Sequence, residues 1–152
     1  MRMNGSMRRL LNSSNLSLPR ALDEILPGQL PEMVTIDGSV LLADRYEHSR
    51  SVSLKQFPDR TGYECLVNHS HFPYDGSPGA LCKVMARIAG IRRSLVEYAP
   101  DRSFLILVSI TEAECTIRFH ECRAGERWLA DDLEGYEEEA IAAIGVGPAT
   151  DC

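Results

Sequence analysis

No stretch of this 152-residue sequence is apolar for long: no uninterrupted run exceeds the five residues of Phe104 to Val108. A membrane-spanning helix needs about 20, so no transmembrane segment is expected and a membrane is not an expected partner. Positive charge is also short, with 16 basic against 22 acidic residues and a net charge of -6. Nucleic acid and anionic membrane surfaces both demand the opposite balance, whereas a basic partner suits this one. The five cysteines, at 65, 82, 115, 122 and 152, never fall in a C-x-x-C spacing. That argues against a disulfide framework and a zinc knuckle, and for a reduced, cytoplasmic protein. Arg2, Arg8 and Arg9 precede Leu10 and Leu11, but Asn12 to Asn15 interrupt the apolar region that a secretory signal requires.

Phosphate-cradling glycines are missing too. Gly145-Val146-Gly147 has no helix after it, strands do not alternate with helices, and there is no internal repeat, so Rossmann and P-loop folds are excluded. No nucleophile elbow or papain-like sequence surrounds a cysteine. A thiol and base drawn from Cys65 and His69, or from Cys122 and His120, therefore have no supporting motif, and the protein is read as a non-enzyme. His69-x-His71 and His120-x-Cys122 would each put two ligands on one face of a strand, but their spacing lacks the closed pattern of zinc sites, and no cofactor is expected.

What is present is a single α+β domain, organised around Asp101 to Cys122. Phe104 to Val108 has no polar face and reads as a strand covered on both sides. The following run alternates, with Cys115, Ile117 and Phe119 on one face and Thr116, Arg118 and His120 on the other, which completes an antiparallel hairpin. Ser77-Pro78 supplies an N-cap and a first-turn proline. Apolar residues at 81, 84, 85, 88, 91, 95 and 98 then predict a long amphipathic helix ending at Pro100, its stripe laid on one face of the strand. Val34 to Leu42 reads as one strand broken at Asp37-Gly38 or as a tight hairpin turning there. Ser51 to Phe57 and Gly62 to Val67 both alternate and predict a second hairpin, joined by the turn-forming Pro58-Asp59-Arg60-Thr61-Gly62. A short strand is predicted over Arg127 to Leu129, then a loop, then a strand or helix ending at Gly145. Together these give an antiparallel sheet of four to six strands with one main helix on a face.

The ends are expected to be looser. Residues 1–20 hold four arginines and no acid among serines and asparagines. This composition predicts a basic, loosely ordered arm over residues 1–32, dispensable for folding, with a short helix at Ser17 to Leu26 that Pro27-Gly28 stops. The globular domain then spans residues 33–147 and a frayed tail residues 148–152.

The remaining unusual feature is acidity late in the chain: between Glu112 and Glu139 ten acids face three arginines. Charge runs are usually solvated faces. Here Trp128, Leu133 and Tyr136 are interleaved with the acids, a combination typical of protein interfaces. Candidate partner-binding residues are Glu126, Trp128, Asp131, Asp132, Glu134, Tyr136, Glu137 and Glu138, with Glu139 extending the acidic field. A second candidate is a ligand or metal site, or a small enzyme's site, near His69, His71 and His120.

Phe119-His120 and Gly125-Glu126-Arg127-Trp128-Leu129-Ala130-Asp131-Asp132-Leu133-Glu134-Gly135-Tyr136, with Gly62 to His69, resemble a pattern in small bacterial immunity proteins of contact-dependent-inhibition and related polymorphic toxin systems. That resemblance implies a cytoplasmic protein without catalysis of its own that binds one cognate toxin domain, often a basic nuclease, and blocks it. It does not imply the basic arm.

Overall fold

The computed structural model describes residues 1–24 and 29–148. In chain order its elements are β1 (Arg2–Met3), α1 (Gly5–Ser13), α2 (Leu18–Glu24), β2 (Met33–Ile36), β3 (Ser39–Leu42), α3 (Ala43–His48), α4 (Arg60–Val67), β4 (Ser70–Pro73), α5 (Pro78–Tyr98), β5 (Phe104–Ile110), β6 (Glu114–Glu121) and β7 (Ala140–Val146). Five strands form an antiparallel sheet in the order β1-β7-β5-β6-β4, and β2-β3 form a separate hairpin. This is an α+β fold. Among the described residues no helix is long and apolar enough to cross a membrane.

The central strand β5 pairs with β6 on one side and β7 on the other, so that Ile106 lies between Phe119 and Ile144. Its pleat sends Phe104, Ile106, Val108 and Ile110 to one face, where they meet Leu81, Val84, Met85, Ile88, Ile91 and Leu95 of α5. Each such side chain, taken from water, contributes roughly 1.5–3 kcal/mol. The expected start of α5 is confirmed: Ser77 Oγ accepts from Ala80 N–H at 3.1 Å, with Pro78 in the first turn. Leu105 and Leu107 go to the opposite face, where Cys65 of α4, Ala143 and Leu129 cover them. Of the two readings of Val34 to Leu42, the hairpin is the one formed. Asp37 (φ 50°) and Gly38 (φ 81°) both take the positive φ of a primed two-residue turn.

Three expectations are corrected. The segments over 51–57 and 62–67 are not strands: a 3-10 turn at Leu54–Gln56 leads into helix α4. Asp59 is the N-cap, its Oδ1 accepting from Gly62 N–H at 2.7 Å, so the residues read as a turn start a helix. Alternation misled because α4 is buried on two sides. Tyr63 and Val67 pack on Leu41 of the β2-β3 hairpin, while Cys65 packs under the main sheet. Buried Asn68 then ties the layers together, accepting from Leu42 N–H at 2.9 Å and donating to Val40 and Phe119 carbonyls at 3.1 Å.

The N-terminal arm is not loose. Arg2 and Met3 pair with Ala143 and Ala142 at the sheet edge. Met7 and Leu11 of α1 and Leu18 and Leu22 of α2 are buried in the main core. Composition missed this because each short helix offers only a few apolar side chains, Met7, Leu10 and Leu11 in α1 and Leu18, Ala21 and Leu22 in α2, enough to seat it once a sheet edge is there to receive it. Helix α2 falls within the predicted Ser17 to Leu26; that prediction's last residues and the Pro27-Gly28 stop lie outside the described residues.

Third, Arg127 to Leu129 form no strand; residues 122–139 run as a loop with a 3-10 turn at Leu133–Gly135, and β7 follows. Residues 149–152 of the predicted frayed tail lie outside the described residues.

Candidate functional site

The face of the sheet away from α5 has an open end. Register places Thr116 of β6 between His71 of β4 and Ser109 of β5, and Arg118 opposite Leu107. The loop 122–139 crosses this face, and between loop and strands lies a cleft of about 410 Å³. Ser109, Glu114, Thr116 and Arg118 line it from the strands, and Trp128, Tyr136 and Glu139 from the loop. Sequence reasoning missed Ser109 and read Glu139 only as part of the acidic field, because its approach to the cleft depends on how the loop returns. Thr116 and Arg118 were legible as the polar face of β6.

Arg118 is oriented by two uncharged neighbours. Its guanidinium donates to His69 Nε2 at 3.1 Å and lies 5.4 Å from the centroid of the Trp128 ring, within cation–π range. Burial, followed by the charge of Arg118, drives the His69 pKa down to about 4. His71 contacts the Glu114 carboxylate, and the His71 hydrogen bond helps hold Glu114 below its usual range. His120 is elsewhere: 2% exposed, its Nδ1 bonded to the Glu121 carbonyl at 2.9 Å, it is lowered in pKa by burial.

These histidines carry a pH prediction. An unfolded histidine titrates near 6.5, whereas native His69 stays neutral down to about 4. Between those values the unfolded chain binds more protons, so stability falls as pH drops from about 6.5 towards 4 and is fully retained above that window. A proton NMR titration of His69 checks it; a midpoint near 6.5 would mean the ring does not face Arg118.

The eight candidate partner residues divide into two groups. Glu126 is an internal clamp, accepting from Thr61 N–H at 2.9 Å and Thr61 Oγ1 at 2.8 Å. Asp131 pairs with Arg127 at 2.5 Å and approaches Arg2 at 3.9 Å. Glu134 accepts from Arg8 at 3.1 Å and from Gly5 N–H at 2.9 Å. The basic arm thus neutralises part of the acidic segment within the chain itself. Asp132 caps the 3-10 turn, accepting from Glu134 N–H at 2.9 Å, and Tyr136 Oη accepts from Ala130 N–H at 3.3 Å. Glu137 and Glu138 are exposed and in no ion pair among the described residues, and Trp128 is 41% exposed.

Nucleophilic chemistry finds no support in the thiols. Burial pushes Cys115 up to about 12 and raises Cys65 as well, so neither is a thiolate at neutral pH. Cys65, Cys82 and Cys115 are free thiols. Among the described residues no three His, Cys, Asp or Glu side chains are grouped so that they could hold a metal ion.

Neither a curated protein nor a solved structure matches the chain. A family profile does match, over residues 2–148, nearly the whole length and including the docked N-terminal arm, and by that match the chain belongs to the Uncharacterized protein PM0498 family.

Proposed function

We propose that the protein is a cytoplasmic immunity protein that binds and neutralises a cognate, basic toxin domain without catalysis of its own. The observation that carries this reading is Trp128: an indole 41% exposed and lining a cleft, in a loop whose Glu137 and Glu138 are exposed to solvent. Aromatic anchors ringed by polar residues dominate binding energy at interfaces, and carboxylates at the rim steer a basic partner. Because Glu126, Asp131 and Glu134 are engaged within the chain, the interface centres on Trp128, Tyr136, Asp132, Glu137 and Glu138.

The two components separate kinetically. With the toxin domain encoded beside this chain, Glu137→Lys with Glu138→Lys should slow association at low salt by about tenfold and flatten its salt dependence. Trp128→Ala should leave association nearly unchanged and speed dissociation by about thirtyfold, the effect of losing a hot spot of roughly 2 kcal/mol. Surface plasmon resonance over a salt series measures both. A folded charge-reversed protein with unaltered association would remove the acidic loop from the interface, and absence of any complex with the neighbouring gene's product would end the reading.

A further inference from the structure

The cleft holds two opposite charges that form no ion pair among the described residues. The Arg118 guanidinium bonds to His69 and lies over the Trp128 ring, and among the described residues no carboxylate pairs with it within 4.0 Å. Ring and imidazole fix the guanidinium in place while leaving its charge uncompensated. Glu139 is the mirror case: its carboxylate accepts from the Ser109 hydroxyl, and no cation pairs with it among the described residues. Glu114, by contrast, is already engaged by His71 and by Thr116 Oγ1 at 3.3 Å.

Register puts the two groups on one face of the sheet: Arg118 lies opposite Leu107, and Glu139 is held by Ser109, two residues further along β5. Both line the same cleft. A carboxylate and an ammonium carried on one carbon offer a charge-assisted bond to each of them. Beside the pair, Leu107, Leu129 and Ile141 supply an apolar floor and Trp128 and Tyr136 two aromatic walls. We infer that the cleft binds a free α-amino acid with an apolar or aromatic side chain, its carboxylate on Arg118, its ammonium on Glu139 and its side chain among these walls.

This inference is independent of the toxin reading and is tested on the isolated protein. Trp128 is the chain's single tryptophan and forms one wall, so its fluorescence reports occupancy directly. Titration with leucine, methionine and phenylalanine should give a saturable change with at least one. The corresponding amide, which lacks the carboxylate, and the N-acetyl derivative, which lacks the ammonium, should each bind at least about tenfold more weakly. Arg118→Gln should abolish discrimination against the amide, and Glu139→Gln discrimination against the N-acetyl form, with folding checked by circular dichroism. If either variant fails to fold, the derivative series on the natural protein decides alone. Absence of saturable change with all three amino acids, confirmed by calorimetry, overturns the inference, as does equal binding of the amino acid and either derivative.

Discussion

Replacing Glu64 by alanine should destabilise the protein by about 2–3 kcal/mol, the cost of removing a buried carboxylate that accepts from a guanidinium and from a backbone amide. The Glu64 side chain is fully buried. Its Oε1 accepts from Arg123 Nη2 at 2.6 Å, and its Oε2 from Arg123 Nη1 at 2.9 Å and Glu121 N–H at 2.8 Å. Without it, the guanidinium, only 17% exposed, keeps Glu121 at 2.5 Å and Glu126 at 3.9 Å, and the β6 amide loses its acceptor. Urea denaturation at pH 7 measures the effect. Glu64→Leu combined with Arg123→Met should recover most of the loss, since an apolar pair of similar volume removes the desolvation cost together with the attraction. A single-variant loss below about 1 kcal/mol would show that water reaches the pair, as it does at surface salt bridges.

Acid should weaken the same network. Burial pushes the Glu121 carboxyl up, but the Arg102 hydrogen bond and the charges of Arg123 and Arg102 outweigh it and leave the group below its ordinary 4.5. A depressed carboxyl contributes stability that is complete above its unfolded pKa and lost as pH falls through the folded value. The Glu121 contribution therefore fades below about pH 4.5, from the acid end of the window in which His69 acts.

Whether a segment could be read from sequence depended on how many neighbours bury it. β5 and β6 were legible because each takes its burial from a sheet whose pleat has period two, and α5 because a single stripe faces that sheet. The Asp37-Gly38 turn was legible from residue chemistry alone, since few dipeptides accept two positive φ values. α4 was not, because the hairpin and the sheet grip it from different directions, and Tyr63, Cys65 and Val67 then imitate a strand. The cleft was half legible: the Thr116 and Arg118 face follows from alternation, whereas the arrival of Trp128 and Glu139 over it depends on an 18-residue loop with no periodicity. Nor did charge counting show that acids at 131 and 134 are met by arginines from the other end of the chain.

The N-terminal arm carries the other large expected effect. Asn4 is 1% exposed and works as a rivet between the chain's two ends. Its Oδ1 accepts from Met7 N–H and Ile141 N–H, both at 3.0 Å, and its Nδ2 donates to the Tyr136 and Glu139 carbonyls at 3.1 and 2.7 Å. Asn4→Ala leaves these buried groups unpaired and uncaps α1, which should cost about 3 kcal/mol. For a domain of this size that lowers the melting temperature by roughly 6–12 °C. Deleting residues 1–32 goes further, because Met7, Leu11, Leu18 and Leu22 leave the core together and β7 becomes an open edge. At about 2–5 kcal/mol for each buried side chain lost, the total rivals the 5–15 kcal/mol by which a whole domain is stable. The truncated chain should therefore show no cooperative thermal transition and should bind a dye specific for exposed apolar surface. A truncated protein that melts cooperatively within a few degrees of the full chain would show that residues 33–147 fold alone, and that α1 and α2 rest on a core already complete without them.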